Sequence, residues 1–266
     1  MIMNTAFLLV NFDFVTGHPL PFEVYWSKLT DMTERLDKLI SDSGLYSRSE
    51  ARALVRAGRV SVDGETVRSP ERKFPREAAV CVDGEALNCA KYRYFMLDKP
   101  AGYVCATEDR SLPTVLELLP EEYRGLGLFP VGRLDRDTTG LLLLTNDGDY
   151  AHRVISPKSK VEKRYLAGTE SPVTKEDAAA FAAGLTLSDG TRCLPAGLEP
   201  LGDSSCLVRI TEGKYHQVKR MLASRGKPVV SLRRLSIGAL SLPDGSRPGE
   251  LRELDEKSKS LALTQF

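Results

Sequence analysis

With 266 residues, 42% of them hydrophobic, and a formal net charge of +1, the chain can form one large domain or a small and a medium one, each with a buried core. That balance excludes a disordered chain and a uniformly basic nucleic-acid binder, so any such role has to rest on local charge. Five scattered cysteines without a C-x-x-C pair, and three histidines without ligand spacing, exclude a disulfide framework and a metal site and point to a reducing, cytoplasmic compartment.

Residues 1–31 contain a short apolar run, Ala6 to Val10, broken by Asn11 and Asp13 and preceded by no basic residue; neither a signal peptide nor a membrane span is expected. Met32 reads as a natural start, which makes 1–31 a dispensable extension. Residues 32–75 read as a small domain. Thr33 is expected to cap a helix with Leu36, Leu39 and Ile40 on one face, ended by Gly44. Ser47 and Glu50 form a capping box that opens a second helix, with Ala51, Leu54 and Val55 inward and Gly58 as its stop. Arg52 and Arg56, four apart, share a face of it. Val60 to Val67 alternates around Asp63-Gly64, a hairpin signal. Between 33 and 76 ten Lys/Arg face seven Asp/Glu, a net of +3 that suits phosphate positioning better than sequence reading. Residues 76–92, polar and following Pro75, read as a linker.

Residues 93–255 form the larger domain. A strand from Tyr94 to Leu97 runs into a sharp turn at Pro100-Ala101-Gly102. Leu141 to Leu144 is a continuous apolar run, short enough for a strand covered on both faces. Asn146-Asp147-Gly148 after it has hairpin-turn chemistry. Before it, Gly132 and Gly140 bracket a polar insert, Arg133 to Thr139. There Asp135 is either a solvated loop carboxylate or, flanked by arginines at the mouth of a rigid strand, a reactive one. Thr174 and Asp177 cap an Ala-rich helix with Ala178, Phe181, Ala182 and Leu185 inward, stopped by Gly184. A strand from Cys206 to Thr211 leads into a helix near Gln217. Between 207 and 235 eight Lys/Arg face one acid, Glu212, a net of +7 that reads as a phosphate-attracting patch. Residues 229–255 close the sheet, and 256–266 read as a frayed tail. Strands outnumber helices and hairpins join some of them, so the fold class is α+β with a mixed, largely antiparallel sheet.

Several strings carry a resemblance. Gly132 to Gly148 resembles the G-R-L-D-x-x-T-x-G-L-L-L-L-T-N-D-G signature of the RsuA/RluB/RluE/RluF group of pseudouridine synthases. Lys99 to Val104 resembles the group's K-P-x-G-x-V motif, Glu162 to Tyr165 its E-K-x-Y, and Glu212 to Met221 its E-G-x-x-H-Q-V-[RK]-R-M. Arg35 to Gly64 resembles the S4 RNA-binding domain. The resemblance implies the pseudouridine synthase fold plus a small N-terminal S4-like domain. It implies catalysis by Asp135, with Tyr165 stacking on the base and aiding proton transfer, and Lys219 as the counter-charge of Asp135. It leaves open whether Asp135 is nucleophile or general base. Arg133 is expected to fill the gap left by a flipped base. Lys99, Pro100, Gly102, Thr138, His216, Gln217 and Arg220 are expected around the substrate, with His216 structural or RNA-contacting. RNA contact falls to Arg35, Lys38, Arg48, Arg52, Arg56 and Arg59. The reaction breaks a C–N bond and rejoins the same uracil through carbon, so no cofactor is expected. Tyr94 to Cys105, with Pro113-Thr114-Val115, resembles the small-subunit branch. The implied target is one uridine of 16S ribosomal RNA, of the uridine 516 type, within a partly assembled small subunit; the protein is expected to be a monomer without membrane partners. Three alternatives remain: a large-subunit synthase, a non-catalytic S4-type assembly factor, and a hydrolase using Asp135 and Asp137, which share a face of an extended chain.

Overall fold

The structure, a computed structural model, describes residues 33–265, which form two compact units parting between Lys91 and Tyr92. The expected extension, residues 1–31, lies outside the described residues. No described helix is long and apolar enough to cross a membrane, and all five cysteines are free.

In the first unit, helices Leu36–Asp42 and Arg48–Arg56 turn Leu36, Leu39, Ile40, Ala51 and Val55 into a core closed by valines of a four-stranded sheet. The Ser47–Glu50 capping box forms as expected. Thr33 is no cap: Thr33–Arg35 is extended against Lys73–Pro75, and that ladder holds the backbone out of the helix until Arg35, which takes the N-cap position. Residues 76–92 are not a linker over their whole length. Val80–Val82 pairs antiparallel with Val60–Val62, and Glu85–Ala86 pairs with Val80–Val82, giving the order Glu65–Thr66, Val60–Val62, Val80–Val82, Glu85–Ala86. Asp83-Gly84 repeats the left-handed turn of Asp63-Gly64, at φ 52° and 86° against 52° and 85°.

The second unit is built on a sheet with the strand order Gly197–Gly202, Ser205–Ile210, Lys163–Thr169, Val229–Ile237, Thr139–Thr145, Tyr94–Lys99, Leu251–Glu253. Leu240–Ser241 and Phe129–Pro130 pair alongside. Every pairing is antiparallel except that of Thr139–Thr145 with Val229–Ile237. The α+β reading with a mixed, largely antiparallel sheet holds. Leu141 to Leu144 lie in the interior, covered on both faces as their continuous apolarity requires. Leu142 and Leu144 pack with Phe181, Met221 and Leu222 from helices Lys175–Ala183 and Gln217–Ser224. Leu141 and Leu143 pack with Tyr150 and Val154 of helix Gly148–Ile155 and with Ala262.

Three local expectations change here. Asn146-Asp147-Gly148 does not turn a hairpin: Asp147 Oδ1 accepts from Tyr150 N at 3.0 Å and caps the helix that follows, because Asp-Gly serves helix starts as readily as tight turns. Ala182 of the Ala-rich helix is exposed, while Phe181 anchors it. The segment after residue 255 is not frayed. Asp255 caps helix Glu256–Leu261, and Ala262 is fully buried.

Candidate active site

Asp135 sits in the loop between Phe129–Pro130 and Thr139–Thr145, and the backbone on both sides of it is pinned from beneath. Lys99, fully buried, donates to the carbonyls of Pro100 at 2.9 Å, Arg136 at 3.2 Å and Thr138 at 2.9 Å, which uses all three ammonium protons. Burial pushes the pKa of Lys99 below the ordinary lysine value. Gly102 N donates to Arg136 O at 2.8 Å, and Thr138 N to Asp135 O at 3.1 Å. The loop ends on Gly140 at φ 98°, where a Cβ would meet the Arg234 carbonyl oxygen at 2.2 Å; only glycine lets the two strands run side by side there. Lys99 is thus a positioning group of the loop rather than a substrate contact, because its ammonium protons are consumed by backbone carbonyls, and Gly102 is tied to Arg136 through both its N–H and its carbonyl, which accepts from Arg136 Nε at 3.3 Å.

The carboxylate faces two basic side chains from the start of helix Gln217–Ser224. His216 Nε2 lies 3.3 Å from Asp135 Oδ1, and Lys219 Nζ lies 3.4 Å from Oδ2. Lys219 also bonds Asp137 Oδ1 at 2.6 Å, which holds the Asp137 carboxyl below the usual carboxylate range. Lys219 therefore bridges both aspartates instead of serving Asp135 alone. Asp137 is 75% exposed and does not line the cleft, which argues against a carboxylate-pair hydrolase. His216 adopts a left-handed backbone, φ 47°, and its ring stacks on Tyr215 at 3.8 Å. Gln217 is buried in the wall of the cleft: it donates to Glu212 at 2.7 Å and accepts from Lys214 N at 2.9 Å, so it braces the turn before the helix. Arg220 is paired with Asp189.

Asp135 opens onto a cleft of about 600 Å³ lined by Arg133, Thr138, Lys163, Tyr165, Arg234 and apolar side chains that include Val131, Ile210, Leu232 and Ile237. Tyr165 is buried beneath it, with its hydroxyl accepting from Arg234 Nη1 at 3.5 Å. Arg133 is exposed at the rim. The expected basic patch of residues 207–235 is not one. Arg209 pairs with Glu199, Lys219 with Asp135 and Asp137, Arg220 with Asp189, Arg225 and Lys227 with Asp177, and Arg233 with Asp98. Six carboxylates from outside the segment take up six of its seven net positive charges.

Residues 93–224 match the family described as RNA pseudouridylate synthase, and residues 34–80 match the S4 domain. The chain is 45% identical over 225 residues to ribosomal small subunit pseudouridine synthase A of Escherichia coli (strain K12), which covers 84% of this chain and 97% of that one. It is 43% identical over 232 residues to the uncharacterized RNA pseudouridine synthase YtzG of Bacillus subtilis (strain 168), at 85% and 97% coverage. A crystal structure of a pseudouridylate synthase superposes with a TM-score of 0.61 at 39% identity, over 86% of this chain and 99% of the other. The chain belongs to the RNA pseudouridylate synthase family.

Within this synthase, the cations expected to meet RNA from the S4 domain are more tied down than the sequence implies. Arg35 donates to the buried Asp37 at 3.0 and 2.9 Å, Arg52 donates at 2.8 Å, and Arg48 stands 3.6 Å away. Burial opposes the charge on Asp37, yet the Arg35 and Arg52 hydrogen bonds outweigh it and hold the carboxyl well below the usual carboxylate range. Lys38 is shared between Glu34 at 3.3 Å and Asp42 at 3.1 Å, and Arg59 pairs with Asp83. Arg56 is exposed. The synthase cleft also contains two cations that sequence reasoning passed over, Lys163 and Arg234. The first stood in plain view two residues before Tyr165; the second was one of eight basic residues in a charge count.

Proposed function

We propose that this protein converts one uridine of small-subunit ribosomal RNA, of the uridine 516 type, to pseudouridine, and that Asp135 is the group that acts on the target nucleotide. One observation carries it: a carboxylate on a pinned loop, braced by Lys219 and His216, opens onto a cleft of base-pocket size with an aromatic ring in its floor. A small-subunit target is supported by relatives bearing that name over nearly their whole length. Base chemistry in structured RNA takes the nucleotide out of its stack. Tyr165 and the apolar walls then receive the ring, while Arg133 at the rim occupies the vacated position. Base chemistry belongs to the second unit and RNA docking to the first, where Asp37 holds Arg35, Arg48 and Arg52 together as a phosphate-facing cluster. We place the enzyme in the cytoplasm, acting on a partly assembled small subunit.

A pseudouridine map of ribosomal RNA from cells with and without the gene tests the assignment. One site in small-subunit RNA disappears with the gene. Loss of a large-subunit site instead overturns the target, and loss of none overturns the activity in favour of a non-catalytic assembly role.

A further inference from the structure

Two buried cations in the cleft have no carboxylate within 4 Å among the described residues. Lys163, 7% exposed, donates only to Val161 O, two residues before it, at 2.7 Å. Arg234, 4% exposed, donates from Nε to Leu141 O at 2.7 Å and from Nη1 to Tyr165 Oη, while its Nη2 has no hydrogen-bond partner among the described residues. Thr138 Oγ1, buried in the lining of the same cleft, has none among the described residues either. The sheet brings these groups together. Lys163 and Tyr165 lie two apart on one face of their strand. A register shift between Arg164 and Tyr165 sets Arg234 directly opposite Tyr165. Burial, reinforced by the Arg234 charge, pushes the Lys163 ammonium down to about 8. A buried charge without a partner is costly, so two together call for a guest rich in acceptors.

Resting on the reading that this cleft receives the target uracil, we propose that Lys163 and Arg234 form an electrophilic floor and take up, at the O2 or O4 oxygen of the ring, the negative charge of the detached base. When the C1′–N1 bond breaks, its electron pair leaves with the ring and spreads over N1 and both carbonyl oxygens. When C5 then bonds to C1′, C5 gives up its proton and N1 gains one, so the isomerisation balances without a co-reactant. Fixed cations at those oxygens stabilise the charge where it develops, in a site shielded from water. The apolar walls and the Tyr165 ring suit a flat heterocycle better than a phosphodiester.

The test uses the full chain and two readouts. The first is tritium release from RNA carrying 5-tritiated uridine, for wild type, Lys163→Met, Lys163→Arg and Asp135→Asn. The second is competition for the cleft by uracil, by barbiturate (a uracil-shaped ring that is anionic at neutral pH) and by inorganic phosphate. Removing one such donor typically lowers kcat about 100- to 1,000-fold. We expect that loss in Lys163→Met with the KM for RNA unchanged, partial recovery in Lys163→Arg, and a preference for barbiturate over uracil that Lys163→Met abolishes. Lys163→Met removes a buried charge and so keeps the protein folded. Wild-type turnover in Lys163→Met, with Asp135→Asn inactive, overturns this proposal alone; inactivity of the wild type overturns the parent reading too. Phosphate competing as well as barbiturate makes the floor a phosphate site and overturns it as well.

Discussion

Lys99→Met removes the ammonium beneath the Asp135 loop and keeps an unbranched stem of similar length. The wild-type group holds three carbonyls at 2.9, 3.2 and 2.9 Å. A hydrogen bond from a charged donor contributes ~1.5–3 kcal/mol, so three independent ones would exceed ~4.5 kcal/mol. They share one ion, however, and burial works against that ion, as its lowered pKa reflects. The net loss is therefore closer to the ~3–5 kcal/mol typical of breaking a buried charged arrangement. Urea unfolding of the full chain should show the midpoint falling at constant slope. Tritium release under conditions where the variant remains folded should fall by about 100-fold, the usual cost of moving a reacting group by ~1 Å. Lys99→Arg should not restore it, since a planar fork cannot meet three carbonyls converging on one point. A folded Lys99→Met enzyme with wild-type turnover and a raised KM for RNA would refute the reasoning, and would return Lys99 to the substrate-contacting role the family resemblance implied.

Asp37→Asn takes the common counter-charge from Arg35, Arg48 and Arg52 and should destabilise the S4 domain at neutral pH. Because the folded carboxyl titrates well below its unfolded value of 3.8, the wild-type advantage is full above that pH and shrinks as pH falls below it, which urea midpoints from pH 3 to 7 will show. Lys163 carries the opposite sign: its folded pKa of about 8 lies below the unfolded 10.5, so the burden of the buried ammonium is present below pH 8 and lifts between those values. Wild type should gain up to about 3 kcal/mol on Lys163→Met between pH 7.5 and 10.5 in unfolding experiments. Arg56→Ala removes an exposed cation of the S4 domain; RNA affinity should drop and the slope of log K against log salt should shrink by about 1, with kcat at saturation unchanged.

Features encoded by neighbouring residues were legible in the sequence, and features assembled across the sheet were not. The Leu141–Leu144 strand and the Ser47 and Thr174 capping boxes are local, and each stands where it was read. The strands of 76–92 were also written locally, as Val80-Cys81-Val82-Asp83-Gly84 after Val60-Ser61-Val62-Asp63-Gly64, but Pro75 and the polar run to Lys91 masked the repeat. The charge of 207–235 misled because its partners are distant in the chain; Asp98 and Arg233 stand 135 residues apart and 2.7 Å apart in space. Asp135, Tyr165 and Lys219 were named from motifs; the sheet brings Asp135 and Tyr165 to one cleft, and the helix sets Lys219 against Asp135. Nothing in the motifs said that Lys99 lies under the loop, because its burial depends on three carbonyls from two separate turns. The end of the chain read as frayed since only the fold reveals Ala239 N donating to Leu261 O at 2.9 Å and Ala262 packed inside.

The central claim is that the Asp135 carboxylate acts on the target uridine. Asp135→Asn keeps the shape of the side chain and removes its charge, so tritium release from 5-tritiated small-subunit ribosomal RNA, measured alongside RNA binding, tests it most directly. Release below detection with binding equal to or tighter than wild type is the predicted result. Substantial release by a folded Asp135→Asn protein would contradict it and remove the carboxylate from the mechanism.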